Sequence, residues 1–561
     1  MADRPGGCCR TPSSQLQFSP RAPRNAKLAR ESSRLGWMSS EELYLGRAEE
    51  FHEPRLVKFK GREILVVRTP EGFFAVSARC PHKGADLSQG AICGKRLICP
   101  WHNAVFDLET GSVIEPPALS GLRRFTVEVR GEAVLVKVPV DSAEEAAGRV
   151  QSPAVRSDKV YVVIGGGASG AIAAKTLREA GFDGEIVLIS AEKHLPYDRT
   201  VLSKFFLMRE MGVESLYLWD EAFWSALGVK LLLGRRVVEL DARSRTVVLD
   251  SGESIVYDKV LVATGGRPRK LGIPGESLRG VFTLRTLDDA ILIREWATAS
   301  RRAVLVGAGF LNMEIASALR SRGLEVTVVA PESTPLSRVF GEEVGVFFRE
   351  LHEENGVAFA LGHTVEEIEG DERVRGVVLD NGKRVPADMV IVGVGIEPVV
   401  DFIRGLSLDE RGRIPVDEYM HAGNGVYAAG DVASFPDWRT GMRVSIEHWR
   451  TAQQLGRVAA LNMAGVKTPY RGVPFFWTWQ FGVSIRYAGH APAWDDLVIE
   501  GDMRGRSFLA LYSYRDKVLG VLGCGRDKEV AALSDLMARD LLPRLSEIKS
   551  NAWLLKAVAQ C

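Results

Sequence analysis

Two cysteines and two histidines stand close together early in the chain: Cys80-Pro-His82, then sixteen residues, then Cys99-Pro-Trp-His102. Thiolates and imidazoles at such spacing are metal ligands. Two loops that each give one Cys and one His suit two kinds of centre. A zinc ion takes Cys₂His₂ tetrahedrally. A [2Fe–2S] cluster can instead take two thiolates on one iron and two imidazoles on the other. Gly84 and Gly90 allow the backbone to bend close to such a centre. Cys93 lies outside both loops and reads as a structural thiol.

A second chemistry is written in glycines. Gly165-Gly166-Gly167-Ala168-Ser169-Gly170 follows an apolar strand, Val160–Ile164, and opens a helical stretch that Gly181 closes. In that setting the glycines bring backbone close to a pyrophosphate resting on the helix N-terminus. The next strand ends at Ser190-Ala191-Glu192, and Glu192 is the acid nearest the ribose position. A second copy reads Gly307-Ala308-Gly309-Phe310-Leu311-Asn312, with Glu314 beyond it and Asn in place of the third glycine. Its second strand ends Val329-Ala330-Pro331-Glu332. An NAD site usually has an acid where Ala330 stands; Glu332, two positions on, is the substitute. The nucleotide is therefore read as NAD(H), with NADP(H) as the alternative. Two further strands run into glycines: Val260–Val262 into Ala263-Thr264-Gly265-Gly266, and Val390–Val392 into Gly393-Val394-Gly395.

Several of these motifs resemble known families. Phe106–Gly111 and Pro116-Pro117-Ala118 resemble the hairpin and proline loop that cover the cluster in Rieske ferredoxins. In the respiratory subtype of those domains, extra cysteines bridge the ligand loops and hydroxyls donate to the sulfurs. Here Lys83-Gly84, Pro100-Trp101, Asn103 and Ala104 supply neither, which implies a potential toward the low end of the Rieske range. Gly425–Asp431 resembles the second FAD fingerprint, with Gly430 and Asp431 toward the ribityl and pyrophosphate region. The order FAD half, NAD domain, FAD half resembles the flavoproteins related to glutathione reductase. The redox cysteine pair of the disulfide reductases is missing, because no Cys lies between Cys99 and Cys524. Instead, Pro196–Lys204 (PYDRTVLSK) is similar to a stretch of oxygenase-coupled ferredoxin reductases and apoptosis-inducing factors. That resemblance implies that Arg199 contacts FAD and that Lys204 lies near flavin N5, paired with Glu314. Thr200 departs from the Pro common there. Glu447-His448-Trp449 and the aromatic run Phe475–Trp479, Trp477 included, match where these proteins line the flavin; ordinary core aromatics are the other reading. Taken whole, residues 40–560 resemble the apoptosis-inducing factor 3-like family.

The elements that must hold these groups fall into blocks. Residues 1–36 hold seven basic side chains against two acids, with four prolines, and read as a disordered arm. Residues 37–140 alternate short strands and turns, an all-β Rieske domain; 141–158 is a polar linker. Residues 159–283 and 400–466 form the FAD-binding domain, 284–399 the NAD(P)-binding domain, and 467–561 a small α+β C-terminal domain. The fold class is thus multidomain: all-β, then α/β with two dinucleotide-binding domains, then α+β. At 561 residues, with 72 basic and 71 acidic side chains, the chain lacks the surplus charge of a nucleic-acid binder. No apolar run spans a membrane. The compartment is read as cytoplasmic, or mitochondrial if the basic arm is a transit peptide, and a homodimer is left open.

The expected activity is electron transfer from NAD(P)H through FAD to a [2Fe–2S] cluster and on to an unidentified acceptor. A reductase serving an oxygenase, and a redox-gated interaction protein, are the alternatives. With nine His, none paired at helical spacing outside the loops, a terminal oxygenase is disfavoured.

Overall fold

The structure, a computed structural model, describes residues 40–139 and 156–550. Most of the linker and the whole N-terminal arm fall outside the described residues.

The first block is a six-stranded antiparallel sheet, ordered Ser40–Arg47, Ala133–Pro139, Arg124–Arg130, Gly72–Ser77, Arg62–Thr69 and Arg55–Phe59. Its strands alternate inward and outward residues, as in Ala133–Pro139, whose Val134, Val136 and Val138 are buried. That alternation is what a sheet covered on one face requires. A second sheet of four short strands, Ala91–Cys93, Arg96–Ile98, Val105–Asp107 and Val113–Glu115, carries the ligand loops. These strands have three residues each, too short for any periodicity to show in the sequence.

Beyond residue 156 the pattern changes. Val229–Leu233, Glu185–Ser190, Val160–Ile164, Lys259–Val262 and Val426–Ala428 run parallel in that order, closed by the antiparallel His421–Gly423. Val162, Val163 and Ile164 are buried, which is why that strand is a continuous apolar run. The helices Ala168–Glu179 and Trp449–Met463 lie together over this sheet, joined where Ser169 Oγ donates to the Ala452 carbonyl at 2.7 Å. The second parallel sheet orders Val281–Phe282, Met389–Val392, Arg302–Val306, Glu325–Ala330 and Val357–Leu361. In it Asn312, the residue that breaks the glycine pattern, is buried. Its amide donates to the carbonyls of Val306 (2.7 Å) and Gly307 (2.9 Å). A Cβ at Gly393 would meet Asn312 Oδ1 at 2.4 Å, so one glycine gives way to Asn because another stands opposite.

The C-terminal block is a five-stranded antiparallel sheet, ordered Phe475–Gln480, Val483–Gly489, Lys517–Cys524, Ser507–Tyr514 and Asp496–Asp502, with the helix Asp527–Ala538 on one face. That helix also seats the ligand-loop sheet: Ala531 and Ala532 pack with Ala91, Cys93, Ile98 and Val105. Arg96 Nε reaches Asp535 at 2.7 Å, and Asn103 Nδ2 donates to Ser534 Oγ at 3.1 Å. From the other side, Arg450 Nε donates to the Pro116 carbonyl at 2.7 Å and Gln454 to Glu115 at 2.6 Å. The all-β block is therefore packed onto the rest by buried polar contacts. Among the described residues no helix is long and apolar enough to cross a membrane.

Candidate functional site

The two ligand loops are built alike. Cys80 N–H donates to the Ala85 carbonyl and Gly84 N–H to the Cys80 carbonyl, both at 2.9 Å. Nineteen residues on, Cys99 N–H donates to the Ala104 carbonyl at 2.8 Å and Asn103 N–H to the Cys99 carbonyl at 3.1 Å. Each tight loop turns on a left-handed residue four places after its Cys: Gly84 (φ 77°) and Asn103 (φ 59°). Gly and Asn are residues that tolerate this region. Asn103 therefore serves the turn and reaches the C-terminal helix.

The loops bring Cys80 beside Cys99, and His82 beside His102. The two thiols share a hydrogen bond, which pushes Cys80 up and Cys99 down. Backbone N–H groups of His82 and Lys83 point at Cys80, and those of His102 and Trp101 at Cys99. The imidazoles present the same atom to one point, with their Nδ1 atoms 3.1 Å apart. Burial pushes His82 down to about 4 and holds His102 well below the ordinary histidine range, which keeps both imidazoles neutral and able to ligate a metal. Sulfur is thus grouped with sulfur and nitrogen with nitrogen, which fits a two-iron centre with a different ligand pair on each iron. Cys93, expected as a structural thiol, is buried and disulfide-bonded instead.

A cavity of about 400 Å³ opens at the ends of the first parallel sheet. Gly165, Gly167, Ala168 and Ser169 form its floor. Gly165 has φ +116°, and a Cβ there would lie 2.2 Å from the Ala263 carbonyl oxygen. Gly167 caps the helix Ala168–Glu179 with no side-chain hydrogen bond and has no atom within 4 Å of its would-be Cβ. That leaves free N–H groups and open space, the cradle a pyrophosphate needs. Gly170 lies behind this floor, where a Cβ would meet the Gly165 carbonyl oxygen at 1.8 Å. Gly165→Ala should therefore yield protein with little flavin and about 1–3 kcal/mol less stability. A normal flavin-to-protein absorbance ratio and an unchanged Tm would refute this.

The walls hold Glu192, Arg199, Lys204, Ala263, Thr264, Gly265, Glu314, Gly430, Asp431, His448, Trp449 and Trp477. Glu192 is held on both oxygens: Arg199 takes one carboxylate oxygen, and Tyr197 Oη donates to the other at 2.6 Å. Asp431 pairs with Arg285 at 3.0 Å. His448, which burial pushes down to about 4, has no hydrogen-bond partner for Nδ1 among the described residues. An orphaned buried nitrogen on the wall of this cavity is what an absent ring system with polar edges would satisfy. Gly307, Gly309, Glu332 and Gly395 stand outside these walls. Gly307 and Gly309 open the second fingerprint helix, Phe310–Ser321, whose Phe310, Leu311 and Glu314 do line the cavity. Glu332 is ion-paired with Arg338 at 2.6 Å.

At the inner end of the cavity lies a buried polar chain. Lys204 Nζ bonds Glu314 Oε2 at 2.8 Å and the Thr200 carbonyl at 2.9 Å. Ser203 Oγ donates to Glu314 Oε2 at 2.5 Å, and Thr478 Oγ1 to Glu314 Oε1 at 2.7 Å. Gln480 Nε2 follows on Thr478 Oγ1 at 3.0 Å, and His352 Nε2 on Gln480 Oε1 at 2.8 Å. The sequence reading paired Lys204 with Glu314 but missed Ser203, Arg285, Thr478 and Gln480. Alternation along Phe475–Gln480 was the available signal, since it puts Thr478 and Gln480 on one face. Thr200 shows why Pro is dispensable here: its N–H and Oγ1 both donate to Asp198 Oδ1, at 2.9 and 2.6 Å.

Trp477 joins the two sites. It lines the cavity, and its ring centroid lies 4.6 Å from that of His102 and 6.4 Å from that of His82. Lys83, beside His82, reaches Asp198 Oδ2 at 3.0 Å, next to the Arg199 that lines the same cavity.

Comparison with known proteins agrees with this arrangement. The Rieske [2Fe–2S] domain matches residues 41–126, the pyridine nucleotide-disulphide oxidoreductase family residues 159–456, and the reductase C-terminal domain residues 475–559. Apoptosis-inducing factor 3 of Homo sapiens is 37% identical over 507 residues, covering 88% of this chain and 83% of the relative. The chain belongs to the apoptosis-inducing factor 3 family. It is an oxidoreductase acting on NAD(P)H, with FAD and a Rieske [2Fe–2S] cluster as its cofactors; zinc is set aside. The ferredoxin reductase subunit of a 5,5'-dehydrodivanillate O-demethylase from Sphingobium is 35% identical over 66% of this chain and 90% of its own length. Among solved structures, a ferredoxin reductase from Rhodopseudomonas palustris matches with TM-score 0.68 and 32% identity, covering 72% of this chain and all of that one. The covalent putidaredoxin reductase–putidaredoxin complex matches with TM-score 0.68 and 28% identity over 72% of this chain and 99% of that one.

Proposed function

We propose that this chain passes electrons from its flavin cavity to its own cluster across Trp477, and from the cluster to a separate one-electron acceptor protein. The carrying observation is that one indole ring both lines the cavity and stands against the His102 imidazole. When bound, FAD turns a two-electron hydride into single electrons, and the [2Fe–2S] centre takes them one at a time. Gly165, Gly167 and the helix that follows hold the pyrophosphate; Asp431, steadied by Arg285, receives the ribityl region. Lys204 and Glu314 close the cavity on the nicotinamide side, because Glu314 comes from the helix that begins with the second fingerprint. Cys80 and Cys99 hold one iron, His82 and His102 the other.

Anaerobic titration with NADH, followed by absorbance and EPR together, tests this. Flavin bleaching should be followed by a Rieske-type EPR signal from the same chain, with one FAD and two iron atoms per chain and no zinc. Flavin bleaching without an EPR signal would overturn the route through the cluster.

A further inference from the structure

Trp477 and Arg486 are direct partners in the antiparallel pairing of Phe475–Gln480 with Val483–Gly489. Side chains of directly paired residues stand on one face of a sheet. Arg486 therefore shares the face whose indole covers His102. The helix Asp527–Ala538 lies across that face and ties it to the ligand loops through Ser534 and Asp535. Arg486 is only 5% exposed. Its Nη2 pairs with Asp527 Oδ2 at 3.1 Å, while its Nε and Asp527 Oδ1 have no hydrogen-bond partner among the described residues.

A buried guanidinium left half-satisfied is costly, and stability alone does not favour it over an apolar residue. What it does supply is a fixed positive charge next to the ligand loops. Both Cys99 and His102 feel that charge, after the stronger effects of hydrogen bonds and burial at Cys99 and of burial and His82 at His102. Neither Arg486 nor Asp527 lines the flavin cavity.

Granting the reading that Cys80, His82, Cys99 and His102 hold the cluster, we infer that Arg486 raises the cluster's reduction potential by favouring the form that carries one more electron. That electron comes from NAD(P)H by way of FAD, and no bond or proton at Arg486 changes. The ligand loops by themselves, without hydroxyl donors at Asn103 and Ala104, point to a low potential. A charge supplied from a strand nearly four hundred residues away in the chain opposes that tendency, and it acts only while the C-terminal domain covers the loops. Asp527, as counter-ion, moderates it. Arg486 is on this view a positioning residue for electrons.

The test is an EPR-monitored redox titration of the full-length holoenzyme and three variants. At the potential where the parent cluster is half reduced, Arg486→Gln should lower the reduced-to-oxidised ratio about tenfold, or about 59 mV for a one-electron couple. Asp527→Asn should move the ratio the other way, and Arg486→Lys should keep most of the parent value. The flavin midpoint should stay in place throughout. If Arg486→Gln does not fold, the sign of the Asp527→Asn shift decides alone. An unmoved cluster midpoint, or shifts of the same sign in Arg486→Gln and Asp527→Asn, would overturn the role of Arg486 while leaving the cluster assignment standing. A parent protein without a [2Fe–2S] signal would overturn both.

Discussion

Cys99→Ser should give a protein that keeps its FAD and still reduces ferricyanide with NADH, yet no longer reduces cytochrome c. Cys99 is buried in the loop that also presents His102, and its sulfur receives backbone N–H groups from Trp101 and His102. A serine oxygen is a harder and less acidic ligand than the thiolate this iron needs. Losing one of four ligands costs the cluster outright. The flavin cavity is built from other strands and helices and includes neither ligand cysteine, so flavin content should survive. The local penalty for a hydroxyl left in the sulfur's place is about 1–3 kcal/mol if it finds no partner.

The two acceptors separate the two exits. Ferricyanide is small and can collect electrons from flavin directly, whereas a protein acceptor needs an exposed relay. Iron analysis, the flavin spectrum and the two rates together decide the matter. Equal loss of both rates would mean that the cluster props up the flavin domain. Loss of neither would mean that electrons leave from the flavin, and the Rieske domain would then need another role.

Contacts local in sequence were readable from residue types alone. Val160–Ile164 and its glycine turn needed only an apolar run and a fingerprint, and the two Cys-to-His loops needed only spacing. The long-range part was not readable. Nothing in the sequence near His102 announces Trp477, and nothing near Cys99 announces Arg486, because both arrive by strand pairing in a domain that begins some 370 residues later. Arg285 was invisible for the same reason: it meets Asp431 across 146 positions. Glu192 was placed by its position after a strand, and it does line the cavity; its contacts to Tyr197 and Arg199 were not readable from that position. The all-β block was legible as a class, while its docking on Arg450, Gln454 and Asp535 depends on side chains that read as ordinary surface polar residues.

Glu314→Ala should be among the most destabilising single changes in the flavin site. Its carboxylate is almost fully buried and serves three donors at once: Lys204, Ser203 and Thr478. Removing one partner of a buried ion pair strands the other, at about 3–5 kcal/mol. Here the stranded group is Lys204, left with the Thr200 carbonyl alone among the contacts described. Thr478→Val, which deletes only one donor of the same carboxylate, should cost about 0.5–1.5 kcal/mol and sets the scale for a single lost hydrogen bond. Urea unfolding of each variant measures these costs, provided the transition stays cooperative. Stability and chemistry are then pulled apart by Lys204→Met with Glu314→Gln. With neither charge left to strand, the double variant should recover most of the lost stability. Because Lys204 and Glu314 line the cavity on the side of the second fingerprint helix, flavin reduction by NADH should nevertheless be slow in both Glu314→Ala and the double variant, measured by anaerobic stopped flow. A double variant that regained both stability and fast reduction would show the pair to be structural, and hydride delivery would then have to be organised by other residues of the cavity.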